Sequence, residues 1–478
     1  MKTNLTRCVV ALLALLAMLL SFASCSMMHA GMNDADSAFP KDGGWEYGSD
    51  AVRELAPSVT GDRVDSKTSS PSGDVASDPS YSDDVAPSDP GEKADPDPDE
   101  PVASPDDGEE PRELTSEEIN ELYRAGLITA SAWDDNTYYS MWKKLFEKGQ
   151  TEEENGRLVG YTEQGWNISS TSRVTVSVTS GEAAVAGAKV VARDADGNTL
   201  FKAVTDAKGK AYLFPSAEAG SIVVTKGDAT ATANFSEEER ELSLTLESDS
   251  GKKNLIELMF VVDVTGSMGD EINYLKAELG DVIRRIAQND SETRISLSFL
   301  FYRDEDDEEK FCYVDFRDVT DPEDYEVQQA ELKKQFATGG GDYPEAMDEA
   351  LALAVGKQWS ASATKMIFLV LDAPCHSTQQ NKTTFSSAVR SAAEQGIRIC
   401  PVLASGADGL TEYLTRSAAV LTGGTFVFIT DDSGIGGSHY DPDLPNAVVE
   451  RLNMLMVRLI LGYHTGAFSA PIPWNVEQ

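Results

Sequence analysis

The stretch NLIELMFVVDVTGSMGD, residues 254–270, decides how the second half of this 478-residue chain folds. Residues 255–262 are almost continuously apolar, as expected of a strand buried on both faces of a parallel sheet. The run stops at Asp263, and two glycines, Gly266 and Gly269, give the turn that follows a tight path. Ile272, Leu275, Leu279, Ile283 and Ile286 then recur at helical spacing, which makes one apolar helix face. Strand, loop and helix in that order form the first unit of a βαβ fold.

The same alternation continues downstream. Further strands are expected at 294–301, 365–371, 397–403 and 425–429. Helical patterns lie at 344–355, 385–395, 410–421 and 446–461. The region 251–465 therefore reads as a doubly wound α/β domain, followed by a tail at 466–478. Ligands of such sheets sit beyond the carboxyl ends of the strands, where the strand order reverses. That rule points at the loops after the apolar runs. In the first loop, Asp263, Thr265 and Ser267 alternate along the chain, so three oxygens can converge on one point. A hard cation such as Mg²⁺ or Mn²⁺ takes a few protein oxygens and completes its octahedron with water.

With these residues the domain resembles the von Willebrand factor type A family. The metal-ion-dependent adhesion site of that family has the pattern Asp-x-Ser/Thr-x-Ser after the first strand. Asp263-Val264-Thr265-Gly266-Ser267 is similar to it. The second loop of the family offers a threonine after two glycines. Here the loop reads Thr338-Gly339-Gly340-Gly341-Asp342-Tyr343-Pro344-Glu345, and the resemblance puts Asp342 in the threonine's place, with Thr338 the lesser contributor. The third loop, within MIFLVLDAPCH, supplies Asp372. A subset of the family carries both a GGGD-x-PE and a DAP-x-H loop, as this chain does. The resemblance implies a Mg²⁺ (or Mn²⁺) site at Asp263, Thr265, Ser267, Asp342 and Asp372. It also implies a binding or adhesion role in which a carboxylate of a protein or cell-envelope ligand completes the coordination. Asp342 could meet the ion directly or through water. It could also simply cap the helix expected from Pro344. Asp304, in FYRDEDDEE, could rim the site or belong to a solvated acidic loop.

The first half of the chain reads differently. Lys2 and Arg7 precede an apolar run at 9–20, the pattern of an export signal over 1–24. Phe22-Ala23-Ser24-Cys25 resembles the lipobox of bacterial lipoproteins, with Phe22 where a leucine is more usual. The resemblance implies lipidation of Cys25 and a chain held on the membrane, outside the cytoplasm. Ordinary cleavage near Ser21-Phe22-Ala23, releasing a soluble protein, is the alternative. Residues 25–112 are rich in Asp, Ser, Pro and Glu and poor in large apolar side chains, which predicts a disordered acidic stalk. Residues 113–168 read as a short helical segment: Leu114 to Glu118 as a helix start, and a second piece near 136–147.

From Arg173 the apolar period changes to two. Val174, Val176 and Val178 share one face, as do Leu242, Leu244 and Leu246, with turn residues between. Residues 169–250 are therefore expected to form a small all-β antiparallel sandwich. The wording VAGAKVVARDADGNTLFKAVTDAKGKAYLF is similar to carboxypeptidase-regulatory or transthyretin-like modules, which are non-catalytic spacers.

Composition narrows the function. With 80 acidic against 40 basic residues the formal net charge is −40, which removes nucleic acid as a partner because such binding needs a basic footprint. Beyond Cys25, only Cys312, Cys375 and Cys400 remain, an odd number that builds no disulfide framework. Cys375 and His376 are adjacent and do not face one another as nucleophile and base. The four histidines are scattered, and no phosphate-cradling GxxxxGK[ST] loop occurs. An enzyme is therefore not expected. The alternatives to a metal-dependent binding protein are a scaffold whose ion only braces the loops and a hydrolase using the ion to activate water.

Overall fold

The computed structural model describes residues 124–476, apart from 167, 250, 252, 290 and 291. The export signal, Cys25, the acidic stalk and the helix start at 114–118 lie outside the described residues. The chain begins with β1 (Thr129–Trp133) and two short helices, α1 (Tyr139–Lys144) and α2 (Val159–Glu163). A β region follows: β2 (Val174–Ser180), β3 (Ala183–Ala184), β4 (Lys189–Arg193), β5 (Thr199–Val204), β6 (Lys210–Leu213), β7 (Gly220–Lys226), β8 (Ala229–Phe235) and β9 (Glu241–Thr245). Then strands and helices alternate: β10 (Leu255–Asp263), α3 (Ile272–Asn289), β11 (Arg294–Tyr302), β12 (Phe311–Asp318), α4 (Pro322–Lys333), α5 (Met347–Val355), β13 (Thr364–Leu371), α6 (Gln379–Gln395), β14 (Ile397–Leu403), α7 (Gly409–Thr422), β15 (Phe426–Ile429), β16 (Val449–Arg451) and α8 (Leu452–Thr465).

The large sheet has eight strands in the order β12-β11-β10-β13-β14-β15-β1-β16. Its centre, β11-β10-β13-β14-β15, is parallel. Both faces of this centre are covered, which is why its strands are apolar at consecutive positions. Phe260 and Val262 of β10 face one core with α3 and α8, while Met259 and Val261 face the other with α5, α6 and α7. Full burial of each such side chain contributes roughly 1.5–3 kcal/mol. The chain leaves β10 toward β11 on one side and returns to β13 on the other. The carboxyl ends of β10 and β13 therefore flank the point where strand order reverses, and Asp263 and Asp372 lie there.

Three strands depart from the expected alternation. β12 is antiparallel to β11, and its burial is only intermediate along most of its length, so it shows no buried run. β16 occupies the start of the helix expected at 446–461, which begins instead at Leu452. β1 lies in the segment read as helical and pairs antiparallel with both β15 and β16. It is held in place by the Glu278 carboxylate on α3, which accepts the N–H groups of Gly126, Leu127 and Ile128 at 2.8–3.0 Å. α1 matches the second helical piece expected in this segment, though it is shorter.

The β region forms two four-stranded sheets. One is β3-β2-β6 with β9 on β2, and the other is β5-β4-β7-β8. Val174, Val176 and Val178 are fully buried, as their alternation predicts. β2 and β9 run parallel, however, so the arrangement is not purely antiparallel. Nor is it walled off: its core side chains join those of α6 and α7 in one continuous cluster that includes Phe201, Phe214, Phe385 and Leu421. Lys202 of β5 also pairs with Glu394 of α6. A freestanding sandwich would have closed its core on itself.

Candidate metal centre

Each of the three loops is positioned by the strand before it. At the end of β10, Asp263 is fully buried and Thr265 is 1 % exposed. The Asp263 carboxylate organises the turn, since its Oδ1 accepts the Thr265 N–H at 2.9 Å and the Thr265 hydroxyl at 2.6 Å. Thr265 Oγ1 lies 3.2 Å from Ser267 Oγ, so the three oxygens run in series from the interior to the exposed Ser267. The turn continues as a short 3-10 segment, Gly266–Asp270.

The second loop is laced to the first by backbone bonds: Gly266 N–H to Gly339 O at 3.1 Å, and Thr338 N–H to Val264 O at 2.9 Å. Gly339 and Gly340 both have positive φ, +79° and +82°. At Gly340 a Cβ would come within 3.1 Å of Glu345 Oε1 and 3.3 Å of Thr265 Cβ, so the loop can approach this closely only with glycine there. The third loop carries Asp372, 2 % exposed, just past β13. It is tied to the second by the Glu345 N–H to Pro374 O bond at 2.9 Å, and by the Tyr343 hydroxyl, which donates to Asp372 O at 3.2 Å.

The acidic groups brought together here are only partly those expected. Asp263 and Asp372 lie close enough to repel. Burial, then the charge of Asp372, pushes the Asp263 carboxyl up to about 7. The residue set against them from the second loop is Glu345, which is 3 % exposed. Burial and the charges of Asp263, Asp304 and Asp372 push its carboxyl up to about 9. Glu345 Oε2 is buried without a hydrogen-bond partner, and Asp263 Oδ2 makes no bond of ordinary geometry, the buried Tyr302 hydroxyl being the polar group beside its carboxylate. Arg303, at the exit of β11, offers no neutralising pair to them: its Nε donates to Thr338 O and its NH1 to Glu309 O.

Asp342 has other company. It is exposed, and its carboxylate groups with Asp304 and His376, their potential ligand atoms all within 4.8 Å of one another. Asp304 is 5 % exposed, so it is not part of a solvated run. Its Oδ1 lies 3.4 Å from His376 Nε2. The structure thus brings Asp263, Thr265, Ser267 and Asp372 to one edge of the sheet and sets Asp342 in a neighbouring Asp-Asp-His group. Sequence reasoning missed Glu345. The available signal was an acid three residues past Asp342, in the turn entering a helix. Cys375 is buried, and burial drives its thiol well above the ordinary range, the opposite of an activated nucleophile.

A buried carboxylate oxygen with no hydrogen-bond partner is costly unless something else meets it. Asp263, Thr265, Ser267, Glu345 and Asp372 offer the hard oxygens a divalent cation takes, although among the described residues the acidic group with ligand atoms already within 4.8 Å of one another is Asp304, Asp342 and His376.

Comparison with known proteins agrees with this architecture. Residues 257–419 match the profile of the von Willebrand factor A domain, so the chain carries such a domain. A relative from Dictyostelium discoideum, the alpha-protein kinase vwkA, is 27 % identical over 139 residues. The match covers 29 % of this chain and 21 % of the relative, so the chain spans only about a fifth of that protein.

Proposed function

Taking residues 257–419 as a von Willebrand factor A domain, a class of binding and adhesion module, we propose that this protein is a metal-dependent binding protein of the cell surface. The observation that carries the reading is the Asp263 carboxylate, fully buried beside the Asp372 and Glu345 carboxylates, with, among the described residues, only the Tyr302 hydroxyl near enough to ease its Oδ2. Mg²⁺ or Mn²⁺ would be held by Thr265, Ser267 and Glu345, with Asp263 and Asp372 binding directly or through water. The ion would act as a Lewis acid toward a carboxylate of a protein or cell-envelope ligand. Asp342 would stand with Asp304 and His376 at the rim.

Calorimetric titration of Mg²⁺ and Mn²⁺ into wild type and Asp263→Ala tests this. Saturable binding in the wild type that disappears in the variant is expected. Equal heats in the two would remove the metal from the account.

The same carboxylates favour a second reading, in which the ion only braces the loops. Each anionic ligand makes the metal a weaker acceptor for an acidic partner. Partner capture that persists unchanged in EDTA would select it.

Export and anchoring through Cys25 complete the proposal. No helix among the described residues is long and apolar enough to cross a membrane, and a lipid on Cys25 would hold the chain on a membrane surface without one. Cys25→Ser should move the protein from the membrane fraction to the soluble fraction of its own cells. A variant that stays with the membrane would contradict lipid anchoring.

A further inference from the structure

The opposite edge of the large sheet carries a feature that the metal centre does not use. Near the amino ends of β10, β13 and β14 lies a cavity of about 420 Å³, a size that suits a small ligand. Asn254, Thr364 and Arg398 line it from the sheet, Tyr463 and His464 from α8, and Lys253 from the approach to β10.

In a chain with a net charge of −40, this wall sets two cations, Arg398 and Lys253, beside two acids, Asp206 and Glu292. Arg398 is 8 % exposed, and its Nε is buried without a hydrogen-bond partner. Its guanidinium stands 5.2 Å from the centre of the Tyr463 ring, and no carboxylate among the described residues pairs with it. Among the described residues, Lys253 Nζ donates to a backbone oxygen, that of Ala363, at 2.7 Å. Burial, followed by the charges of Arg398, Lys365 and Lys226, pushes its amine down to about 8. Lys365, beside them on β13, is itself buried at 7 % exposure. Glu257, buried on β10, lies near enough to Lys365 and Lys253 to offset part of this repulsion, but Arg398 Nε stays buried and unmet, and an anion would meet it.

The rest of the wall suits an oxyanion on a small organic body. The His464 ring is oriented by two hydroxyls, with Nδ1 at 3.1 Å from Thr364 Oγ1 and Nε2 at 3.4 Å from Thr293 Oγ1. Ala184, Ala186 and Ala207 of the β region supply apolar surface opposite. Asp206, the acid on that side, is engaged locally, since its Oδ1 accepts the N–H groups of Lys208 and Lys210 at 2.8 Å. Glu292 is the other acid on the wall.

We propose that this cavity binds a small molecule bearing a phosphate or carboxylate group, with Arg398 and Lys253 meeting the oxyanion. A guanidinium meets either group with paired N–H donors, and an ammonium adds a point charge. The site lies at the strand edge remote from Asp263, so it is independent of whether the protein binds a metal.

The test is calorimetric titration of the purified protein with inorganic phosphate and, separately, with citrate, in a buffer free of both. Arg398→Gln and Lys253→Met are compared with the wild type. Saturable binding of either probe, weakened about tenfold or more in both variants and retained in Asp263→Ala, is the expected result. Phosphate alone would identify a phosphoryl ligand, and citrate alone a carboxylate ligand. If Arg398→Gln fails to fold by circular dichroism, Lys253→Met decides. Absence of saturable binding of both probes up to about 10 mM, or equal affinity in the wild type and the folded variants, would overturn the proposal.

Discussion

Two clusters of buried charge sit in the α/β part of this molecule and are built on opposite plans. Around Arg416 every charge has a counterpart. Its Nε donates to Asp135 Oδ2 at 2.8 Å, its NH1 to Glu412 Oε1 at 2.7 Å, and Arg157 and Tyr440 close over Glu412 from outside. Burial opposes the charge on Arg416, but Asp135 and Glu412 outweigh it and hold the guanidinium protonated. At the carboxyl ends of β10 and β13, by contrast, Asp263, Glu345 and Asp372 repel one another, and Asp263 and Glu345 each leave an oxygen without a hydrogen bond of ordinary geometry. A satisfied cluster is structural: here it fastens the segment carrying β1 to α7. An unsatisfied one stores a cost that the right ion would release. Backbone bonds that lace the three loops together hold these carboxylates close.

This contrast can be broken from either side. The largest effect is expected at Arg416. Arg416→Ala leaves Asp135 and Glu412 buried without their partner and should cost about 3–5 kcal/mol of stability. Urea denaturation would show it, and a loss below about 1 kcal/mol would mean the network is not needed. Glu345→Gln should act in the other direction. With its carboxyl pushed up to about 9, Glu345 is protonated at neutral pH without metal, so in EDTA the amide spares the cost of taking up that proton on folding and should stabilise the protein by about 1–2 kcal/mol, while diminishing the rise in melting temperature on adding Mg²⁺. Destabilisation in EDTA would show that Glu345 is not under electrostatic stress.

A smaller effect concerns His439, which clamps the loop after β15. It lies between Glu271 Oε1 at 2.9 Å and Asp431 Oδ1 at 2.7 Å. Burial works against its charge, but these two carboxylates prevail and raise its pKa. A group whose folded pKa is raised contributes stability that is complete below its unfolded value. That contribution is lost as pH climbs through the folded value. Stability should therefore decline above about pH 6.5, and His439→Gln should flatten this decline by about 1 kcal/mol. An unchanged pH profile in the variant would contradict the assignment.

The sequence is legible wherever local pattern and tertiary role coincide. β10, β13 and β14 are buried on both faces, and their nearly continuous apolar runs reveal them, along with Asp263 and Asp372 at the ends of the first two. What stays hidden depends on distant partners. β1 is only five residues, TASAW, and becomes a strand because β15, almost three hundred positions away, leaves an edge for it. β12 is half-exposed and carries no clear apolar run. Glu345 is hidden for a related reason: Asp342 fits the motif by position, but it lies exposed beside Asp304 and His376, and Glu345 is the buried acid of the loop. The β region shows its strands through alternation and conceals that its core continues into α6 and α7. Alternation reports that a face is buried and not what buries it.

The account rests on a cation occupying the point where the three loops converge. Crystals grown with Mn²⁺ and measured near the manganese absorption edge test this most directly. The expected result is a single strong anomalous peak enclosed by Asp263, Ser267, Glu345 and Asp372. A map with no peak among these side chains, while they keep the positions described, would contradict it.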